Sequence, residues 1–187
     1  MATAEPITLV LTEMIDLKGV WGPLRVSPPI TASDIRKWAI AVHWPDTPPK
    51  IHWDPDYSAE TRWGGIIAPP DFNPFAWPIP ASPEAIQHAS GASATAGVAE
   101  WYDAEAAIMA RNDGAPEVGW RGMNGGQRDT YGVPMRPGDV ISTRGRLSDW
   151  EERATRLGLT LFIFTETEWR NQRAELVKRR VSTLIRY

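Results

Sequence analysis

The residues best suited to chemistry lie in one irregular stretch, Val42 to Phe72. Two of the three histidines, His43 and His52, fall in this stretch, among tryptophan and acidic side chains. Histidine and carboxylate side chains are the residue types that most often move protons in enzymes. Prolines interrupt every helical or strand-like pattern here, and a long irregular segment inside a domain is more often functional than filler. We therefore expect the rest of the chain to position this stretch.

The composition argues against several functional classes. The 187 residues, 42% of them hydrophobic, predict a single domain over residues 1–187 with a substantial core. The net charge of -3 gives no basic field for nucleic acid, and the run 178–180 is predicted to be a solvated face. We expect no membrane span, because no apolar run is long enough. The absence of cysteine fits a reducing compartment, so a cytoplasmic location is expected.

One helix should deliver the irregular stretch. Thr31 to Asp34 is typical of a capping box, with the acid in the first turn. Apolar residues then recur at helical spacing and form one face: Ile35, Trp38, Ala39 and Val42. Trp44–Pro45 ends the helix, because a residue that precedes proline leaves the α region.

The other predicted elements make an α+β fold. Alternating residues predict an antiparallel meander of three strands over 140–147, 157–169 and 176–187, with turns at 149–156 and 171–174. Glu166 and Glu168 are expected on a solvated face of the second strand. Residues 7–14 are strand-prone, while 82–88 and 98–111 are helix-prone.

Six short pieces of the sequence carry a family resemblance. In chain order over about residues 30–187, they are Ser33–Ala39, Ile51–Tyr57, Trp63–Pro70, Asn124–Gln127, Met135–Val140 and Glu166–Gln172. Together they resemble the MaoC-like hydratase family of hot-dog proteins, and especially the branch related to the dehydratase domain of fungal fatty acid synthase.

The resemblance implies a hot-dog fold, in which an antiparallel sheet wraps around a helix that prolines shorten here. It also implies two such units side by side, as a homodimer or as a heteromer with a second hot-dog subunit. The implied substrates are 2-enoyl-CoA and 3-hydroxyacyl-CoA thioesters, and the implied reaction is reversible addition of water. An Asp/His pair would activate the water, and a backbone N–H at the start of the central helix would bind the thioester oxygen. Coenzyme A enters as part of the substrate, and neither a metal nor another cofactor is implied.

Two departures bear on the implied catalytic residues. His52 occupies the histidine position of the motif, but Asp46 lies six residues before it rather than five. His52 is therefore either the partner of Asp46 in a catalytic dyad or a hydrogen-bonded anchor of the loop. In addition, Pro69 and Pro70 stand where the oxyanion donor is expected, and proline has no N–H. The chain is thus either catalytic within a homodimer or the substrate-binding half of an assembly whose other subunit brings the dyad.

The implied substrate-binding residues include tryptophans, two glycines and an acid. We predict that they are Trp44, Trp53, Gly65, Ile66, Asp71, Trp77 and Gly126. The glycines have a structural alternative, relief of crowding at turns or bulges. Two other functions stay open: thioester hydrolysis, which other hot-dog proteins perform, and acyl-CoA binding without turnover.

Overall fold

The computed structural model describes residues 8–76 and 121–187. In chain order the helices and strands are α1 (Thr12–Leu17), β1 (Arg25–Val26), α2 (Ala32–His43), a 3-10 turn (Lys50–His52), α3 (Pro55–Ala59), β2 (Gly122–Tyr131), β3 (Ser142–Thr155), β4 (Gly158–Arg170) and β5 (Leu176–Arg186). The helix-prone segments 82–88 and 98–111 lie outside the described residues. No helix in the described ranges is long and apolar enough to cross a membrane.

The described strands form one five-stranded sheet with the order β1-β3-β4-β5-β2, and every pairing in it is antiparallel. The predicted α+β class and the closing meander of three long strands are confirmed. β2 lies at one edge, where only β5 pairs with it among the described strands.

Helix α2 begins and ends as its sequence predicts. The Thr31 hydroxyl accepts from the Asp34 N–H at 3.1 Å, and the Asp34 carboxylate accepts from the Thr31 N–H at 3.1 Å. One face of α2 packs Ile35 into the main core, which also contains Ile141, the residue before β3. The rest of this core comes from the loops around the sheet end and from β5: Ile30, Ala68, Phe72, Met135 and Val177. The core therefore sits where the irregular stretch meets the sheet.

Two local predictions are wrong. The segment predicted as a strand over 7–14 forms α1 from Thr12, because one helical turn buries Met14. Before the helix, the Leu9 N–H donates to the Glu152 carboxylate rather than to the backbone of a neighbouring strand. The turn predicted over 149–156 is mostly strand, since β3 continues through a bulge between Leu147 and Asp149. The charged residues of this part of β3 can pair with β4 as a strand, because most of their side chains face solvent.

The predicted central helix begins in a described segment without helical structure. Residues 66–76 contain turns at 70–71 and 74–75, where prolines prevent regular helical bonding. The continuation of this element lies outside the described residues.

A matched pair of isoleucines on α2 tests where the core lies. Ile35 is fully buried and Ile40 is 45% exposed, so Ile35→Ala should lower the free energy of unfolding by about 2–5 kcal/mol. Ile40→Ala should change it by less than about 1 kcal/mol, because no comparable cavity forms. Urea unfolding of both variants measures the difference, and equal losses would contradict this core.

Candidate functional site

The irregular stretch is held by local hydrogen bonds after α2. The Asp46 N–H donates to the His43 carbonyl at 2.7 Å, and the His52 N–H donates to the Pro49 carbonyl at 3.1 Å. Asp54 then caps α3 by accepting from the Tyr57 N–H at 3.0 Å. The prolines therefore replace a long helix with three short turns, and the middle turn places His52.

His52 is buried, with 7% of its surface exposed, and its Nδ1 lies 2.7 Å from the Ile67 carbonyl oxygen. A carbonyl only accepts, so Nδ1 carries the proton. Burial lowers the pKa of His52 below its usual range, against a smaller opposing effect of the Ile67 hydrogen bond. The ring is therefore neutral near pH 7, with the basic lone pair on Nε2. This is the tautomer that a general base needs, and it is also the tautomer that anchors the loop.

The structure does not bring Asp46 and His52 into contact. Asp46 is exposed, and no hydrogen bond or ion pair joins its carboxylate to His52. The imidazole ring of His43 lies beside that of His52, with centroids 6.1 Å apart. His43 Nδ1 donates to the Ala39 carbonyl. The catalytic roles of Asp46 and His52 stay predictions.

The two predicted tryptophans that can be placed differ sharply. Trp44 is 80% exposed at the end of α2. Trp53 is half-buried, and its indole N–H donates to the Pro48 carbonyl at 3.0 Å, which ties the turn together. Trp77 lies outside the described residues.

The predicted glycines occupy unrelated places. Gly65 has φ 154°, next to the guanidinium of Arg136, which donates to the Trp63 carbonyl at 2.7 Å. Gly126 has φ 98° and belongs to a bulge in β2, where Asn124 accepts from its N–H at 2.7 Å. The structural alternative, a glycine at a bulge, therefore describes Gly126 in this fold.

The segment expected to bind the thioester oxygen has few free donors. Ile66 and Ala68 fix it, since Ile66 packs on the main core and the Ala68 N–H donates to the Met135 carbonyl at 2.8 Å. The Phe72 N–H donates to the Pro69 carbonyl, and the two prolines have no N–H. Asp71 alone between 68 and 72 keeps a backbone N–H without a partner among the described residues.

A charged cluster around one buried lysine was missed by the sequence analysis. We call it the Lys178 cluster; its members are Asp71, Asp129, Tyr131, Trp169, Lys178 and Arg180. Lys178 is 5% exposed, so the prediction that the run 178–180 is a solvated face is wrong. Arg180 donates two hydrogen bonds to the Asp129 carboxylate, from Nε at 2.8 Å and from Nη2 at 2.7 Å. Lys178 Nζ lies 3.1 Å from the same carboxylate. These contacts, led by Arg180, lower the pKa of Asp129 to about 2.

Asp71 joins this cluster from the irregular stretch. Its carboxylate accepts from the Tyr131 hydroxyl at 3.1 Å and lies 3.8 Å from Lys178 Nζ. Partial burial and these carboxylates together raise the pKa of Tyr131 to about 12, so the phenol keeps its proton and donates. The cluster thus fastens the start of the predicted central helix to β2 and β5.

A second ionic group lies between β3 and β4. Glu166 and Glu168 are 7% and 4% exposed, which makes the predicted solvated face wrong. Each faces its register partner, Arg146 at 2.6 Å and Arg144 at 2.8 Å. The sequence carried a signal for this pairing: two arginines two residues apart on one strand and two glutamates two residues apart on the next.

A groove of about 700 Å³ runs along the sheet. Hydroxyl side chains of β3, β4 and β5 line it, among them Thr143, Thr165, Thr167 and Ser182. Its volume falls in the range of ligand sites in proteins. No group of three or more His, Cys, Asp or Glu side chains that could hold a metal occurs in the described parts of the chain.

The family model of the FAS1-like dehydratase domain region matches residues 17–180. The chain belongs to this family. Its structure is similar to a chain of the ChsH1–ChsH2 complex from Mycobacterium tuberculosis, with 18% identity, 93% of each chain covered and a TM-score of 0.60. It is also similar to a chain of the HadBC (3R-hydroxyacyl-ACP dehydratase) complex of the same organism, with 17% identity, coverage of 91% and 97%, and a TM-score of 0.54.

The family match confirms the predicted relationship to the dehydratase domain of fatty acid synthase. The similar structures confirm the hot-dog fold. A comparison with curated proteins gave no match. The site residues of this chain rest on its own geometry.

The lowered pKa of His52 predicts how stability depends on pH. Unfolding raises this pKa toward about 6.5, so the unfolded chain binds the extra proton. The stability contribution is full above about pH 6.5 and is lost as the pH falls toward the folded pKa. Because His52→Gln keeps an amide donor for the Ile67 carbonyl but does not titrate, its unfolding free energy should fall less between about pH 7.5 and 5.5. Urea titrations at several pH values measure this.

The matched control for that experiment is His43→Gln. This variant keeps His52 and should retain the steeper fall. Equal slopes in both variants would contradict a perturbed His52.

Proposed function

We propose that this chain is the thioester-binding subunit of a hydratase or dehydratase built from two hot-dog units. The substrates would be 2-enoyl or 3-hydroxyacyl thioesters of coenzyme A, and a second hot-dog subunit would bring the pair that activates water. Membership of a dehydratase family supports hydratase-type chemistry in general. The single observation that carries the finer proposal is the separation of Asp46 from His52, because a dyad out of contact cannot share a proton.

The chemistry explains why this separation matters. Adding water to a 2-enoyl thioester needs a base that takes a proton from water and an acid that protonates the α-carbon. It also needs a donor for the thioester oxygen, which becomes negative. His52 Nε2 could serve as a base, but no described acid contacts it, so the relay back to the α-carbon has no partner among residues 8–76 and 121–187. The proposed reaction needs no metal or redox cofactor.

What this chain does offer is a place for the thioester. The Asp71 N–H has no partner in the described part of the chain, and it lies at the start of the segment that the family resemblance assigns to the oxyanion donor. Tyr131 donates to the Asp71 carboxylate, and the Lys178 ammonium lies 3.8 Å from it, which reduces its repulsion of a developing negative charge. The Asp71 backbone is therefore the best oxyanion donor that the described residues provide.

The exposed edge of β2 supports the proposal of a second subunit. This strand is ten residues long, and nearly all of its residues are exposed. A long open edge leaves a row of backbone donors and acceptors unpaired by the described strands, and proteins normally cover such edges. Two similar structures are complexes of two named chains, ChsH1–ChsH2 and HadBC. We propose that a second hot-dog subunit, identical or different, pairs here; a cytoplasmic location stays a prediction.

The test is hydration of crotonyl-CoA by the purified full-length chain, followed at the enoyl absorbance. We expect saturable binding of crotonyl-CoA by calorimetry, but no hydration above the buffer rate and no release of free thiol. Hydration that falls about a hundredfold or more in His52→Ala, but not in the matched His43→Ala, would replace the proposal by a catalytic homodimer.

Two further outcomes would overturn the proposal. Free thiol in step with loss of acyl-CoA would identify a thioesterase. Absence of any crotonyl-CoA binding by the folded chain would remove the thioester-binding role.

A further inference from the structure

A small cavity of about 240 Å³ opens beside the Lys178 cluster. Four apolar side chains line it: Trp38, Phe72, Met135 and Trp169. The rings of Trp38 and Phe72 meet edge to face, with centroids 5.7 Å apart. At about 30 Å³ per water, this volume corresponds to roughly eight waters, so it suits a compact, ring-sized guest.

One wall of the cavity carries a buried cation with spare donors. Lys178 lines the cavity, and its ammonium has three N–H groups, of which the Asp129 carboxylate takes one at 3.1 Å. Asp129 is already satisfied by the two hydrogen bonds of Arg180. The other carboxylate near Lys178 is that of Asp71, and 3.8 Å is too long for a hydrogen bond.

Asp71 is also easily displaced. Its side chain is 72% exposed, whereas that of Lys178 is 7% exposed. The hydrogen bond of Asp71 is with the Tyr131 hydroxyl, at 3.1 Å, so a shift of its solvated carboxylate away from Lys178 costs little. The buried ammonium gains from an acceptor that fills the donor sites left open by the described residues. A guest carboxylate can therefore take the position beside Lys178 that Asp71 holds only loosely.

We propose that this cavity binds the carboxylate of a compact, preferably aromatic, acid. Lys178 Nζ donates to the guest carboxylate, and the rings of Trp38 and Trp169 enclose its apolar body. The identity of the natural guest rests on the proposed function: if that function holds, the guest is a carboxylate-bearing end of the acyl group. The cavity itself does not depend on that function.

The experiment is calorimetric titration of the full-length chain with benzoate, which carries one carboxylate on one ring. We expect saturable binding that weakens about tenfold or more in Lys178→Met, as expected for loss of a hydrogen bond to a charged group. The matched control is Arg179→Met, which removes the same charge from the next residue; Arg179 pairs with Glu166 instead. This control should bind within about twofold of the parent chain.

Two further arms test charge and competition. Benzamide has the shape of benzoate without its charge and should bind about tenfold more weakly. Asp71→Asn removes the competing carboxylate at an exposed site and should tighten benzoate binding about threefold.

Several outcomes would overturn the proposal: no saturable benzoate binding, equal binding of benzamide, or equal losses in Lys178→Met and Arg179→Met. If Lys178→Met does not fold, as judged by circular dichroism, Asp71→Asn decides, and unchanged affinity would contradict the site. Benzoate is no thioester, so its binding tests the cavity even if crotonyl-CoA is neither bound nor hydrated.

Discussion

The hydrogen bond from His52 Nδ1 to the Ile67 carbonyl is the contact on which the candidate site depends. It joins the two halves of a stretch that has little regular structure, and the Ile67 N–H returns to the Ile51 carbonyl at 3.3 Å. The next residue, Ala68, donates to Met135 and so fastens the stretch to the loop that leads into β3. The same bond fixes the tautomer of His52. Its structural and chemical roles are therefore linked, and truncating the side chain removes both.

The sheet depends on paired charges as much as on apolar burial. Buried glutamates would be costly alone, yet Glu166 and Glu168 each face an arginine in register. The guanidinium carbons of both arginines, Arg144 and Arg146, also lie 4.4 Å from the centroid of the Trp21 ring, within cation–π distance. This arrangement lets polar strands form an ordered sheet surface, because each buried ion meets its partner across one strand pairing.

Features that a few neighbouring residues determine were predictable from the sequence. The capping box at Thr31 needs only the residues of the first helical turn, and the strand periods need only alternation. The burial of Lys178 was not predictable in this way, because its environment depends on the pairing of β2 with β5. Asp129 and Arg180, 51 residues apart, become neighbours only in that register. Likewise, the family resemblance implied a dyad of Asp46 and His52 despite a spacing of six residues rather than five, whereas the turn after α2 leaves Asp46 in solvent.

The electrostatics of Asp71 connects the cluster to the proposed chemistry. From the sequence, a carboxylate beside the oxyanion position argues against catalysis, because it would repel a developing enolate. In the fold, Tyr131 donates to that carboxylate and Lys178 lies nearby, so its charge is drawn toward β2 and β5. The backbone N–H of Asp71 can then point to a thioester oxygen at a smaller electrostatic cost. This arrangement fits the proposed thioester-binding subunit, because the described residues offer a backbone donor near Asp71 and bring no acid into contact with His52.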